Sequence, residues 1–250
     1  MAGHRQVILR VTDLVVKFGA HAVVDGVNIE IYSGEIRALI GPNGAGKTTL
    51  LNAISGIIKP SGGRVVFRGE DITGLPPHLS CRKGIARTFQ IPNIMPGLTV
   101  QENIWLGINS KSRIPWHPFQ EAKKMANVSK DVAVLGELVG LADKLDELAG
   151  NLSHGDQKLL EIAMAMSLDG ALLLLDEPTQ GVSPREIDKF ISVIKKLAET
   201  KTVLMIEHNM DVVLGISDLV TVLDHGKVIA QNLPAEIVHD ERVRQVYLGT

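Results

Sequence analysis

The sequence has 250 residues, of which 45% are apolar, and it carries a formal net charge of -2 with a pI near 6.4. This length suits one large α/β domain or two small ones, and the charge argues against a general affinity for nucleic acid or anionic lipid. The lone cysteine, Cys81, excludes an internal disulfide, and the N-terminal MAGHRQVILR lacks the apolar centre of a signal peptide. We therefore expect a reducing, cytoplasmic compartment.

The first part of the chain has the character of half-buried strands separated by turns. Three segments are predicted as antiparallel strands: VILRVTDLVVKF at 7–18, VNIEIY at 27–32 and RVVFRGEDI at 64–72. Between the second and the third, EIRALI at 35–40 leads into a glycine-rich loop. From about Thr99 to Ala149 the periodicity is helical, interrupted by RIPWHPF at 113–119, which we interpret as a loop or insertion. This middle part is predicted to form a separate helical lobe.

The last part of the chain contains apolar runs with little alternation, LLLL at 172–175 and TVLMI at 202–206, separated by a predicted helix over 184–200. Such runs are typical of strands that are buried on both faces of a parallel sheet. LVTVLDHGKVIA then predicts a hairpin that turns at 224–227. The runs are far shorter than the roughly 20 residues of a membrane-spanning helix, so we expect any membrane association to need a partner protein.

The glycine-rich loop GPNGAGKTT matches the phosphate-binding pattern G-x-x-x-x-G-K-[ST] between a predicted strand and a predicted helix. Its glycines let backbone amides surround phosphate oxygens, Lys47 reaches the β and γ phosphates, and Thr48 can bind Mg²⁺. With these flanks a plain glycine turn is the weaker interpretation. The predicted nucleotide-binding residues of the loop are Gly41, Pro42, Asn43, Gly44, Ala45, Gly46, Lys47, Thr48 and Thr49.

Two carboxylates, Asp176 and Glu177, follow the buried run ALLLL, and the carboxyl ends of strands in α/β sheets are where ligands bind. On its own, Asp176 could simply cap the next turn. Beside a phosphate loop, we predict that Asp176 is a second Mg²⁺ anchor and Glu177 the base that activates water. Gln90 and His208 follow predicted strands in the same way. They are predicted to contact Mg²⁺ or the attacking water, and the γ-phosphate, respectively.

Two further stretches are candidates for contact with a nucleotide. Phe18 precedes a glycine near the start of the chain and is either a core residue or a stacking partner for adenine. LSHGDQ at 152–157 opens a predicted helix, and a glycine at a helix start often marks the close approach of an anion. The alternative is that Ser153 caps an ordinary helix that tolerates Gly155.

Taken together, these motifs resemble the ATP-binding cassette (ABC) ATPase family over nearly the entire chain. Their order resembles that of the family: an adenine-stacking aromatic, the phosphate loop, a glutamine loop, a helical lobe with an LSGGQ signature, an Asp-Glu strand and a switch histidine. The resemblance implies an α/β fold with a mainly parallel core sheet, an antiparallel β subdomain and a helical signature lobe. It implies a single ATPase domain over 1–250, with the core in 1–90 and 165–250 and the glutamine loop and helical lobe in 91–164.

The resemblance also implies a mechanism that needs two ATPase subunits, identical or different, and that uses ATP and Mg²⁺. Ser153 and Gly155 would bind in trans, against the γ-phosphate held by the other subunit, so that ATP joins the pair and hydrolysis releases it. The metal ligands would be Thr48, Gln90 and Asp176. The chain departs from the signature at His154 and Asp156, and it has Ser183 where many relatives carry Asp.

Within the family, the text after Gln90, LLLLDEPTQGVSP and the C-terminal region are most similar to the ATPases of branched-chain amino acid importers. This resemblance implies membrane permease subunits as partners at the cytoplasmic face of the membrane, and an indirect link to a substrate-binding protein outside it. IPNIMP at 91–96 would meet the permease, or would pack beneath the helical lobe. Urea or short-chain amide importers and lipopolysaccharide exporters are the alternatives within the family.

Two other classes of protein remain open from the sequence. A soluble ABC ATPase that acts on DNA or ribosomes is expected to carry tandem cassettes, a long coiled coil or a basic face, none of which the sequence shows. We therefore expect no nucleic-acid partner. A nucleotide kinase would share the phosphate loop but has no use for LSHGDQ or His208.

Overall fold

A computed structural model describes residues 6–90, 92–110 and 121–248 of the chain. The segment RIPWHPF at 113–119, which the sequence predicts as a loop, lies outside the described residues. The strands of these parts form two sheets, one of four strands in the order β2-β1-β4-β5 and one of six in the order β10-β9-β3-β8-β7-β6.

The four-stranded sheet is antiparallel, as the alternating sequence predicts. It comprises β1 (Val7–Phe18), β2 (His21–Tyr32), β4 (Gly62–Phe67) and β5 (Glu70–Asp71). Strand β1 has the predicted limits, whereas β2 starts six residues earlier than VNIEIY at 27–32. The predicted third strand is divided in two, because Arg68 and Gly69 adopt left-handed conformations with φ of 50° and 82° and turn the chain back on itself.

The six-stranded sheet is parallel except for its last strand. It comprises β3 (Ile36–Ile40), β6 (Ile85–Arg87), β7 (Leu172–Asp176), β8 (Thr202–Ile206), β9 (Leu219–Asp224) and β10 (Lys227–Asn232). Strands β9 and β10 form the predicted hairpin, and every residue of β3, β7 and β8 is buried. The continuous apolar runs reflect this burial on both faces.

The helices are α1 (Lys47–Ser55), α2 (Pro77–Lys83), α3 (Val100–Asn109), α4 (Glu121–Leu138), α5 (His154–Ser167), α6 (Ile187–Ala198), α7 (Met210–Ile216), α8 (Pro234–Ile237) and α9 (Glu241–Leu248). Helices α3, α4 and α5, from the part of the chain where the sequence predicts a helical lobe, pack on one another. A separate lobe stays a prediction. A capping box between Thr99 and Glu102 fixes the start of α3. Within the described ranges, no helix has the length and apolarity needed to cross a bilayer.

Alternate residues of the central strands contribute to two separate cores. Leu173 and Leu175 of β7 pack with the helical elements, while Leu172 and Leu174 face the antiparallel sheet and α1. The six-stranded sheet is thus covered on both faces. Because β3, β8 and β7 pair in parallel, their carboxyl ends lie at one edge. This α/β architecture confirms the predicted fold class.

Candidate active site

The phosphate loop between β3 and α1 needs glycine at two positions because of close backbone packing. A Cβ atom on Gly41 would lie 2.0 Å from the carbonyl oxygen of Leu223, and one on Gly46 would lie 2.5 Å from that of Val23. Both glycines also have positive φ, at 150° and 100°. The loop is therefore fixed against the β9 end and the β2 strand, and α1 starts at Lys47 with its N-terminal amides directed into it.

Lys47 folds back onto the loop that precedes it. Its Nζ donates to the carbonyl oxygens of Gly41 at 2.7 Å and Pro42 at 3.0 Å, and the side chain is only 6% exposed. Burial lowers the pKa of Lys47, while the carboxylates of Glu177 and Asp176 act in the opposite direction. The loop thus holds a buried cation with two carboxylates nearby, at the position where the sequence predicts the β and γ phosphates.

Two predicted catalytic side chains, His208 and Gln90, meet on the carboxylate of the third, Glu177. Oε1 of Glu177 lies 3.1 Å from Nε2 of His208, and Oε2 of Glu177 lies 3.4 Å from Nε2 of Gln90. They line a 710 Å³ cavity together with Asn43 of the phosphate loop. The residues come from three separate segments, after β6, β7 and β8, whose strands are neighbours in the sheet. The predicted convergence at the strand-end edge is therefore present.

The backbone of Glu177 is held in an unusual conformation by its neighbours. Its φ is 51°, in the left-handed region that a non-glycine residue rarely adopts. The amide N–H donates to the carbonyl oxygen of Ile206 at 3.0 Å, and the carbonyl oxygen accepts from Nζ of Lys158 at 2.7 Å. The backbone of Glu177 is therefore held at both its amide and its carbonyl group.

Glu207 stabilises the two loops that flank this carboxylate. It is buried, and it accepts from the amide and the hydroxyl of Thr179 in the turn after Glu177. Its other oxygen accepts from the amides of His208 at 2.8 Å and Asn209 at 3.0 Å. One carboxylate thus joins the β7 turn to the β8 turn.

Asp176 is paired with a cation that the sequence analysis did not include. Its Oδ2 lies 3.0 Å from Nη2 of Arg87, and both side chains are buried. Burial raises the pKa of Asp176, and Arg87 partly offsets that effect.

The other two predicted metal ligands are Thr48 and Gln90. Thr48 is exposed in the first turn of α1. Gln90 uses its amide nitrogen for its contacts to Glu177 and Gln180, which leaves the Oε1 atom as its donor to a metal.

These donors suit magnesium chemically. A hydroxyl, an amide oxygen and a carboxylate are the hard oxygen ligands that Mg²⁺ prefers, and Mg²⁺ commonly takes only one or two protein ligands beside phosphate and water. Among residues 6–90, 92–110 and 121–248 there is no cluster of three or more His, Cys, Asp or Glu side chains that could hold a metal without such help. The residues present fit a cation that arrives with a nucleotide.

Phe18 lies at the turn end of the β1–β2 hairpin, where it pairs with His21. Its side chain is 54% exposed, so the core alternative is wrong. The carbonyl of Val23, on the same end of the hairpin, packs against Gly46 of the phosphate loop. This end of the hairpin therefore lies beside the phosphate loop, and adenine stacking by Phe18 stays a prediction.

The LSHGDQ stretch has the predicted helix start. Ser153 is the N-cap residue of α5, and its hydroxyl oxygen accepts from the amide of Asp156 at 3.1 Å. A Cβ on Gly155 would lie 3.1 Å from Oε1 of Glu186. Ser153 does cap its own helix, as the simpler interpretation requires, and binding in trans remains a prediction.

The departures from the signature have partners within the chain. Asp156 pairs with Nζ of Lys144 at 2.6 Å and with Nζ of Lys189 at 3.1 Å. Burial raises the pKa of Asp156, but the two lysines outweigh it and keep the pKa below its usual value. The additional negative charge at this helix start is thus compensated locally. The ring of His154 packs close to Gly181.

Within the predicted 91–96 contact segment, Ile91 lies outside the described residues. Met95 is 52% exposed, whereas Ile94 packs against the core of the helical lobe. Residues 92–96 therefore have one side packed on the hydrophobic core and one side in solvent.

Sequence reasoning missed four charged residues of this region, Arg87, Lys158, Glu161 and Glu207. Lys158 and Glu161 did carry a signal, because two charges spaced i, i+3 lie on the face of α5 that is otherwise apolar. Glu207 follows directly after the buried strand β8, in a position similar to that of Asp176 at the end of β7. Arg87 is a charge in a short strand beside β7.

Comparison with known proteins decides the family. The ABC transporter family profile matches residues 24–180. The chain belongs to the ABC transporter family. This ABC cassette is 37% identical over 254 residues to the high-affinity branched-chain amino acid transport ATP-binding protein LivG of Escherichia coli, covering 98% of each chain.

Solved structures agree with this assignment. The cassette matches the ADP conformation of an ATP-binding cassette of an ABC transporter with a TM-score of 0.86 and 34% identity, covering 98% of this chain and 100% of the other. It also matches a dimeric structure of a bacterial ABC transporter cassette, with a TM-score of 0.78 and 25% identity, covering 91% of this chain and 99% of the other. The predicted family and enzyme class are confirmed. The chain is an ABC ATPase.

Proposed function

We propose that this ABC ATPase is the motor subunit of an importer for branched-chain amino acids. The observation that carries the chemistry is the Glu177 carboxylate between Gln90 and His208, close to the buried cation of the phosphate loop. The cargo is proposed from the function of LivG, which aligns with this chain over nearly its full length. The predicted division into a core (1–90 and 165–250) and a helical part (91–164) is part of the same proposal.

Nucleotide binding is proposed to use the phosphate loop as follows. The amides of Gly44, Gly46 and the first turn of α1 donate to phosphate oxygens, and Lys47 exchanges its two loop carbonyls for the β and γ phosphates. Thr48, Gln90 and Asp176 would hold Mg²⁺. When bound, Mg²⁺ neutralises phosphate charge. Phe18 stacks on the adenine.

Hydrolysis is proposed to depend on Glu177 as the base for the attacking water. The contacts of its carboxylate with His208 and Gln90 hold it at the edge of the cavity, next to the phosphate loop. On nucleotide binding, His208 would donate to the γ-phosphate and Gln90 would orient the water.

Two cassettes are proposed to act as a pair. Ser153 and Gly155 of one subunit would complete the γ-phosphate site of the other. The similarity to a bacterial cassette solved as a dimer supports pairing as such. ATP binding would close the pair and hydrolysis would open it. The second subunit is either a copy of this chain or a different cassette.

The pair is proposed to drive a membrane permease from the cytoplasmic face of the membrane. The exposed side of the 91–96 segment, which includes Met95, lies next to Gln90 and would receive the permease. A substrate-binding protein outside the membrane would deliver the cargo to the permease and would not touch this chain. The balance of charge gives no support to a nucleic-acid partner.

The chemistry is tested by Glu177→Gln. The amide keeps the shape of the side chain but cannot take a proton from water, so turnover should fall by about 10²–10⁴ while Mg·ATP still binds. The variant should accumulate as an ATP-bound dimer on a sizing column. A variant that hydrolyses ATP normally and stays monomeric at saturating ATP would contradict the role of Glu177.

The cargo is tested with the assembled transporter. The tagged chain, isolated with its permease from its own cells and reconstituted in liposomes with the substrate-binding protein, should show ATP hydrolysis stimulated by leucine, isoleucine or valine. Stimulation by urea or acetamide instead, or lipopolysaccharide release from the liposomes, would replace the proposed cargo. Failure of the chain to move to the membrane when the permease is co-expressed would contradict the transporter role altogether.

A further inference from the structure

Helix α5 carries two buried charged side chains that reach into the active site from the same face. Lys158 and Glu161 are 3% and 6% exposed, and they are one turn apart. The burial of charges is costly unless each finds specific partners. The partners that they have are backbone atoms of the two segments that carry Glu177 and Gln90.

Glu161 holds the glutamine loop from both sides of Gln90. Its Oε1 accepts from the amide of Phe89 at 2.9 Å and from the amide of Asn93 at 3.3 Å. The loop that leaves β6 is thereby fixed to α5 at two points. Gln90 lies between these points, so its position relative to Glu177 depends on the Glu161 carboxylate.

Lys158 holds the other half of the site. Its Nζ donates to the carbonyl oxygen of Glu177, whose backbone is in the left-handed region with φ of 51°. A conformation of this kind persists only where surrounding contacts fix it. Lys158 supplies one of three hydrogen bonds to the Glu177 backbone. The amide of Gln180 donates to the same carbonyl oxygen at 3.1 Å, and the amide of Glu177 donates to Ile206.

We infer that Lys158 and Glu161 are positioning residues for ATP hydrolysis, which link the signature helix to the backbone of Glu177 and of the Gln90 loop in the same chain. The inference rests on the proposed roles of Glu177 and Gln90. Ser153 and Gly155 lie at the start of the same helix, α5. Displacement of α5 would therefore move both the Glu177 segment and the Gln90 loop of its own site. The helix that is proposed to sense the partner's nucleotide would thereby adjust the chain's own hydrolysis geometry.

The test separates positioning from folding by pairing variants at Glu161. Glu161→Ala removes the acceptor for both amides and should lower kcat by about 10–100-fold, because misplacement of a reacting group by about 1 Å can cost that much. The KM for ATP should stay within about twofold, since the phosphate loop is untouched. Glu161→Gln keeps an oxygen at the same place and should restore most of kcat.

Two further variants complete the design. Lys158→Met keeps an unbranched side chain that is one atom shorter but removes the donor to Glu177, and it should also lower kcat with little change in KM. Ser167→Ala is the matched control, because it removes a buried hydrogen bond from the same helix to the carbonyl of Met164, away from the site. It should leave kcat per ATP-binding site unchanged.

Hydrogen exchange of a peptide covering 88–93 supplies a readout that general destabilisation does not imitate. Its amides should exchange faster in Glu161→Ala than in wild type, at wild-type rates in Glu161→Gln and at wild-type rates in Ser167→Ala. ATP titration gives the concentration of sites that bind ATP, and each kcat is calculated per such site. The exchange rates and kcat are both measured well below the melting temperature.

The inference is overturned if Glu161→Ala has wild-type kcat, if Glu161→Gln is as impaired as Glu161→Ala, or if only KM changes. Failure of the proposed function is recognised separately. In that case the wild type itself does not hydrolyse ATP, or Glu177→Gln hydrolyses it at the wild-type rate. Wild-type hydrolysis that depends on Glu177 but not on Glu161 or Lys158 would reject the positioning role alone.

Discussion

The buried carboxyl group of Glu161 should make the stability of this ABC ATPase depend on pH. Burial raises the pKa of Glu161 from 4.5 to about 7, against the effect of the amides of Phe89 and Asn93 and of Lys158, while Asp176 raises it further. At about 1.4 kcal/mol for each tenfold change in proton affinity, this shift corresponds to about 3 kcal/mol. The folded state therefore binds the proton more tightly than the unfolded state does.

The direction of the pH effect follows from that sign. A carboxyl group with a raised pKa in the folded state contributes stability that is complete below about pH 4.5 and is lost as the pH rises through 7. Glu161→Gln has no proton to lose. The free energy of unfolding of the wild type minus that of the variant should therefore fall by about 3 kcal/mol between pH 4.5 and pH 8.

Urea unfolding at pH 4.5, 5.5, 6.5, 7.5 and 8 measures this difference. The fluorescence of Trp105, which packs beside the core of the helical lobe, is a suitable probe together with circular dichroism. Glu137→Gln, a carboxyl-to-amide change at an exposed position of α4, is the control for the substitution itself. Parallel stability curves for wild type and Glu161→Gln over this range would refute the reasoning, and so would a wild type that gains stability relative to the variant as the pH rises.

Three further predictions concern nucleotide binding and the signature. Lys47→Ala should weaken ATP binding by about 10–100-fold, the range for a lost charge-assisted contact, with an unchanged circular dichroism spectrum, and undiminished affinity in a titration would reject its role. Gly46→Ala should destabilise the protein by about 2 kcal/mol or more, because its Cβ would lie 2.5 Å from the carbonyl oxygen of Val23, and an unchanged melting curve would contradict that packing. Ser153→Arg should cost about 0.5–2 kcal/mol of stability as a lost cap and should also abolish hydrolysis. A Ser153→Arg subunit paired with a Lys47→Ala subunit has one intact composite site. The pair should regain activity, provided one intact site suffices for turnover. If the pair forms but stays inactive, Ser153 acts only in its own helix.

Much of the site could be predicted because its parts are local in sequence. The phosphate loop, the Asp176-Glu177 pair and the hairpin at 224–227 each combine a strand end with a short pattern of residue types. Strands β1 and β8 have the limits that the sequence predicts. The place of Gln90 and His208 at one edge followed from strand ends alone, because parallel strands deliver their carboxyl ends to the same side of a sheet.

The sequence by itself determined which residues carry the chemistry of this protein, since phosphate binding needs glycine backbone and a lysine at fixed spacing. Only the tertiary structure decided how those residues are held. Glu161 meets the amide of Phe89 across 72 positions of the chain, and Arg87 meets Asp176 across 89. No local pattern specifies such pairs, because they depend on how α5 and β6 pack against β7. The same packing gives each buried charge its partner, without which its burial would oppose folding.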